Sequence, residues 1–114
     1  MYKTDWTDAK REAFFINRRF FRLPRHYLKI RIRTLKDEWA YAEETSDGDH
    51  FTVMHTHYPS YSFFRSVLAH ELIHQWQYYH KLTGTHDKKF FTWRKPMLKY
   101  GYNILKDYPC DKVE

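Results

Sequence analysis

His70-Glu71-Leu72-Ile73-His74 spells H-E-x-x-H. In a helix, residues four apart share a face, so both imidazoles of this run reach one metal ion. Glu71 falls beside them on the same surface, where it can act as general base toward a zinc-activated water. Phe64, Leu68, Leu72, Trp76 and Tyr79 recur around the motif at helical spacing, and Val67 and Ile73 widen the stripe. Ser60 or Ser62 is placed to cap the start of this helix. Gly84 suits the turn after it. One short run therefore offers two zinc ligands and a base, the equipment of a zinc metallopeptidase.

Working outward, the segment before the motif has the rhythm of a small α+β domain. Trp6, Ala9, Ala13, Ile16 and Phe20 form one apolar stripe, which predicts an N-terminal helix. Thr4 or Thr7 can cap it, and Leu23-Pro24 should end it. Leu28, Ile30 and Ile32 alternate with Lys29, Arg31 and Arg33, the period of a strand with one buried face. Trp39 to Thr45 fits a second strand, Ser46-Asp47-Gly48-Asp49 a turn, and Phe51 to His57 a third strand. After the motif, a last helix is expected from about Asp87 to Asn103, with Pro96 set to kink or divide it. The tail after Asp107 reads as frayed. The expected architecture is a single domain over residues 1–114: an N-terminal helix, a small, mainly antiparallel three-stranded sheet, the H-E-x-x-H helix and a C-terminal helix.

Composition narrows the possibilities. Nine Phe, ten Tyr and four Trp in 114 residues are ample for one small core. The single cysteine, Cys110, excludes an intramolecular disulfide and any cysteine-based zinc ribbon, and it reads as inert. No segment approaches the roughly 18–20 apolar residues of a membrane span. The first fifteen residues have no uninterrupted apolar stretch followed by small residues, so a secretory leader is not expected and the cytoplasm is the default location. A net charge of +6 favours acidic partners, nucleic acid among them.

A catalytic zinc takes three protein ligands and keeps a fourth position for water. A downstream Glu is closed as the third ligand, because none occurs between Glu71 and Glu114. His80 has the spacing of the H-E-x-x-H-x-x-G-x-x-H pattern, but Gln77 stands where that pattern has its glycine. If the helix continues through Gln77, His80 lies about 9 Å further along and roughly 240° around, facing away. His86 follows Thr83-Gly84-Thr85, where the chain can reverse, and is the preferred third ligand; His80 and Asp87 remain as alternatives. His55 and His57, two apart on a strand, read as polar strand residues rather than as a second metal site. His26 and His50 carry no signal.

The run His70-Glu71-Leu72-Ile73-His74-Gln75-Trp76, then Gly84, then His86-Asp87-Lys88-Lys89-Phe90, resembles the SprT-like family of zinc metallopeptidases. That family pairs an H-E-x-x-H helix with a short turn and a third histidine opening an H-x-x-x-F segment. The match is specific over about residues 60 to 95 and architectural before them. The resemblance implies a zincin-like fold, zinc held by His70, His74 and His86, Glu71 as catalytic base, and Phe90 as the packing residue of the second helix. It also implies DNA-associated proteins as substrates. Asp87 departs from a frequent glycine, and the cysteine-rich ribbon of many members has no counterpart here.

The activity so implied is hydrolysis of peptide bonds in a protein or peptide substrate by a monomer. Tyr100, Tyr102, His57 and Arg94 are candidates to stabilise the oxyanion. The strand Phe51 to His57 is the candidate edge along which substrate lies extended. Lys29, Arg31 and Arg33, with Arg18, Arg19, Arg22 and Arg25, are the candidate surface for DNA phosphates. The competing expectation is a basic nucleic-acid-binding or regulatory protein with a non-catalytic zinc site.

Overall fold

Helix α2, Tyr61–Tyr79, is the element on which the others are assembled. Ser60 caps it: its side chain accepts from the Phe63 N–H at 3.1 Å, satisfying one of the donors that a helix start leaves unpaired. The computed structural model describes residues 1–110. Within them α2 is buried nearly all round from Phe64 to Gln75, not along a single stripe. It packs against helix α1, Trp6–Ile16, and also against strands β3, Ala40–Glu44, and β4, His50–Met54.

The end of α2 differs from the expected stop at Gly84. Lys81 adopts the left-handed conformation at φ 57°, its N–H reaches the Tyr78 carbonyl at 3.0 Å, and the Leu82 N–H reaches the Gln77 carbonyl at 2.8 Å. This pair of bonds is the Schellman arrangement, usually built on glycine. A lysine there costs about 1 kcal/mol against glycine. Gly84 serves a different purpose. A Cβ at this position would lie 2.8 Å from the Tyr78 ring, so glycine lets Tyr78 lie across the turn.

Helix α1, Trp6–Ile16, runs on through a π-helical turn, Asn17–Phe21, and stops at Arg22, φ 54°, ahead of Leu23-Pro24. Its cap is Asp5, which accepts from the Asp8 N–H at 2.9 Å. Neither expected threonine serves, and the Thr4 hydroxyl instead donates to the His55 carbonyl at 2.6 Å. Ala9, Ala13 and Ile16 are buried as expected, whereas Trp6 is exposed. Glu12 is buried as well. Its carboxylate accepts from Arg65 Nε at 3.0 Å, from Tyr61 Oη at 3.1 Å and from Tyr102 Oη at 3.1 Å. A charge out of water needs such a set of partners, and this one ties α1 to α2 and to the chain after α4.

The three-stranded sheet has the order β2–β4–β3, with β2 Lys29–Ile32, β3 Ala40–Glu44 and β4 His50–Met54. It is mixed rather than mainly antiparallel: β2 runs parallel to β4, and β3 antiparallel to it. The burial of each strand explains the order. In β4, Thr52, Val53 and Met54 have no exposed surface, the requirement of a central strand, whereas Ala-Tyr-Ala-Glu-Glu of β3 is half-exposed and takes an edge. The expected third strand is thus two pieces. Its first part is β4, and β5, His57–Tyr58, pairs with β1, Tyr2–Lys3.

The expected C-terminal helix is also divided, into α3 Lys88–Phe91 and α4 Arg94–Leu98. The break places Pro96 in the first turn of α4, where a missing N–H leaves no helical bond unmade. Of the tail expected to fray, residues 111–114 lie outside the described residues, and the part before them is anchored. The Asn103 N–H donates to Ser66 Oγ at 2.8 Å, the Tyr108 hydroxyl donates to the Asn103 carbonyl at 2.6 Å, and Trp39 Nε1 donates to the Pro109 carbonyl at 2.5 Å. The fold is α+β, and among the described residues no helix is long and apolar enough to cross a membrane.

Candidate metal centre and its cleft

His70 and His74 lie one turn apart in the buried middle of α2. His86 reaches them from the segment that joins α2 to α3. Its Nε2 is 3.1 Å from His70 Nε2 and 3.2 Å from His74 Nε2. Among the described residues these three form the group able to hold a metal ion.

The other ring nitrogen of each helix histidine settles what Nε2 offers. His70 Nδ1 donates to the Leu105 carbonyl at 2.8 Å, and a carbonyl only accepts, so the proton of this neutral ring sits on Nδ1. His74 Nδ1 donates to Gln77 Oε1 at 2.8 Å. The amide orientation of Gln77 is fixed in turn, because its Nε2 donates to the Thr85 carbonyl at 2.8 Å. Both helix histidines therefore present bare Nε2 lone pairs to a third Nε2. His86, with one proton to give, cannot satisfy both. Lone pairs converging in a buried place call for a cation, and three imidazoles are a donor set suited to a divalent transition metal.

Burial also favours the neutral form of the two helix imidazoles. Loss of water pushes the His70 pKa down to about 3, aided by the neighbouring His74 and His86 and opposed by the Leu105 bond. His74 is lowered by burial too. The Phe90 ring forms the floor, its centroid 4.9 Å from each of the three imidazole centroids. Asp87 is not in the group; its Oδ1 caps α3, accepting from the Phe90 N–H at 3.0 Å. His80 caps the C-terminus of α2 and packs on Trp76 and Tyr79, away from the group.

Glu71 completes the centre. Its Oε2 lies 4.0 Å from His70 Nε2. Burial first, and the charge of Glu38 second, raise its pKa to about 8.

The group opens into a cleft of about 480 Å³. One wall is Trp39 to Ala42, at the edge of β3 that no other strand pairs among the described residues, and another is the anchored segment Lys106 to Tyr108 with Cys110. Asp37, Glu38 and Asp107 make its rim acidic, with Lys106 as the cation among them, although the chain as a whole is basic. The strand expected at the edge, Phe51 to His57, contributes β4 to the middle of the sheet, paired on both sides, and does not line the cleft. The buried character of Thr52, Val53 and Met54 draws it inward.

None of Tyr100, Tyr102, His57 and Arg94 lines the cleft. Tyr102 is engaged by Glu12, and Arg94 Nε donates to the Ile104 carbonyl at 2.8 Å. Tyr78 and Tyr108 line it instead. The Tyr108 hydroxyl is engaged with backbone, whereas among the described residues the Tyr78 hydroxyl has no hydrogen-bond partner. The signal for Tyr78 lies in its spacing, four residues after His74 on the same helix face, which the sequence reading passes over.

The cations of β2 are largely neutralised. Lys29 pairs with Asp49 at 2.8 Å, and Arg31 with Glu43 at 3.2 Å. Arg18, Arg19 and Arg22, with Phe15, line a separate groove, and no carboxylate is among its lining residues.

No family model matches the chain, and neither the curated proteins nor the solved structures contain a match to it.

The ligand geometry has a direct test in a zinc competition titration. His86→Ala lowers zinc affinity by more than about 100-fold, because one of three ligand nitrogens is removed, whereas His80→Ala leaves it within about 3-fold. Equal losses in the two variants would contradict the assignment.

Proposed function

We propose that the protein is a zinc metallopeptidase of zincin-like fold, allied to the SprT-like family. The observation that carries this reading is the convergence of His70, His74 and His86 Nε2 beside the Glu71 carboxylate, at the base of a cleft walled by a free strand edge. Two of the three nitrogen separations, 3.1 and 3.2 Å, are close to the roughly 3.3 Å spacing of imidazole nitrogens around zinc, and all three ligand atoms lie within 4.8 Å of one another. His70, His74 and His86 would hold the ion. Zinc, when bound, supplies a Lewis acid that acidifies water and polarises a carbonyl, and its charge draws the Glu71 pKa back toward the ionised form.

The remaining work falls to the chain. Glu71 accepts a proton from the attacking water at its carboxylate and passes it to the leaving amine. The free edge of β3 offers backbone N–H and carbonyl groups to an extended peptide, which holds the scissile bond across the centre. Tyr78, which lines the cleft and whose hydroxyl has no hydrogen-bond partner among the described residues, is the candidate donor to negative charge on the substrate oxygen. Phe90 and the buried helix keep the centre in a low dielectric, where these interactions are strong.

The acidic rim favours basic polypeptides, in keeping with DNA-associated proteins as the substrate class. DNA contact itself is assigned to the arginine groove of Phe15, Arg18, Arg19 and Arg22 rather than to the paired β2 cations. If so, the logarithm of DNA affinity falls linearly with the logarithm of salt, and Arg18→Ala with Arg22→Ala shallows the slope by about 2. A flat salt dependence would remove DNA as a partner.

Glu71→Gln separates the enzyme from a protein with a non-catalytic zinc site. The variant is expected to keep one zinc per chain and to cleave an unfolded basic protein at least about 100-fold more slowly than wild type. Zinc bound with no cleavage by wild type would leave the binding-protein reading in its place, and undiminished cleavage by the variant would remove Glu71 from the mechanism.

A further inference from the structure

Gln77 is fully buried near the end of α2, and each of its polar groups is committed to a different part of the metal centre. Its backbone carbonyl accepts the Leu82 N–H at 2.8 Å, the bond that turns the chain off the helix. Its Oε1 accepts from His74 Nδ1 at 2.8 Å. Its Nε2 donates to the Thr85 carbonyl at 2.8 Å, one residue before His86. The residues it joins, His74 and His86, are the two whose Nε2 atoms lie 3.2 Å apart.

The amide is the one common side-chain group that fits both partners at once. The acceptor end must meet an N–H, and the donor end must meet a carbonyl. A carboxylate would face the Thr85 carbonyl oxygen with an oxygen of its own. An apolar side chain would leave a buried N–H and a buried carbonyl unpaired, each destabilising in that position. The His86 imidazole packs against Phe90, His70 and His74, but the chain that leads to it has few anchors of its own. Its segment, 83–85, is exposed, and the Asp87 cap that follows fixes α3 and not the imidazole.

We propose that Gln77 is the positioning residue that assembles the metal site, setting the His74 tautomer and fixing the turn that delivers His86. The inference rests on the metal reading above and goes beyond the ligands and the base. It accounts for how a helix that continues past the motif still closes a three-histidine site. Chain reversal is deferred to Lys81, and the Gln77 amide draws the returning chain back to His74.

The test uses wild type, Gln77→Met and Gln77→Glu, with two readouts: zinc affinity by competition titration, and the His74 tautomer from imidazole nitrogen chemical shifts in the metal-free protein. Methionine keeps the length of the side chain and the backbone bond to Leu82 while removing both amide contacts. Glutamate keeps an acceptor for His74 and loses the donor for Thr85, and it carries the test if the methionine variant does not fold. Metal-free wild type is expected to show His74 protonated at Nδ1. Gln77→Met shows mixed tautomers and zinc affinity lower by about 10- to 100-fold. Gln77→Glu keeps the Nδ1–H tautomer and falls between the two in affinity, which a loss of general stability would not produce.

Wild-type tautomer and affinity in Gln77→Met would overturn the inference. So would a Gln77→Glu variant as weak as Gln77→Met with its tautomer lost. Failure of wild type to take up zinc, with the tautomer effects intact, would strike the metal reading and leave the positioning of His74 by Gln77 standing.

Discussion

Two buried imidazoles, each with its single proton held at Nδ1 by an oxygen, leave bare Nε2 lone pairs aimed at a third histidine. That electrostatic conflict is the constraint to which the surrounding structure answers. Leu105 and Gln77 fix the two tautomers, Phe90 closes the floor, and Asp87 caps the short helix that carries Phe90. Without a partner for them, converging lone pairs this buried would be destabilising. A buried glutamine, an anchored C-terminal segment and a left-handed lysine are all committed to building it, as expected of a functional site rather than of a core.

The architecture around the centre follows from the burial of α2. A helix buried nearly all round needs partners on more than one side, and α1 and the sheet supply them. The Glu12 cluster of Arg65, Tyr61 and Tyr102 locks the α1 side. On the sheet side, the largely buried β4 takes the centre and leaves β3 with one edge unpaired among the described residues, beside Glu71. The cleft is thus a product of strand order. A simple meander would have put β3 in the middle and a different strand beside the three histidines.

The motif helix and the turning away of His80 are legible from spacing, because helical geometry fixes where residues 70, 74 and 80 point; spacing narrows the cap only to Ser60 or Ser62, and His86 is reached through the expected reversal at Thr83-Gly84-Thr85. The α+β class is legible from the change of period between residues 6–20 and 28–33. Strand order is not, since the alternation of Phe51 to His57 says nothing about which strands flank it; only the burial of Thr52, Val53 and Met54 does. Lys81 at the helix end is invisible because lysine carries no stop signal, and Gly84 draws attention to a turn whose glycine serves the Tyr78 ring. Gln77 reads as a missing glycine, a departure from another pattern, when its role lies in contacts that only the fold brings together. The oxyanion candidates fail for the same reason: Tyr102 and Arg94 are claimed by partners that the linear sequence does not point to.

The most direct measurement of the central claim is X-ray absorption at the zinc edge on the purified protein loaded with one equivalent of zinc. The account predicts three imidazole nitrogens at about 2.0 Å and one further light-atom scatterer, with the outer-shell signature of histidine rings. A sulfur scatterer at about 2.3 Å, which Cys110 alone could supply as a thiolate within a chain, or a shell with fewer than three imidazoles, would contradict it.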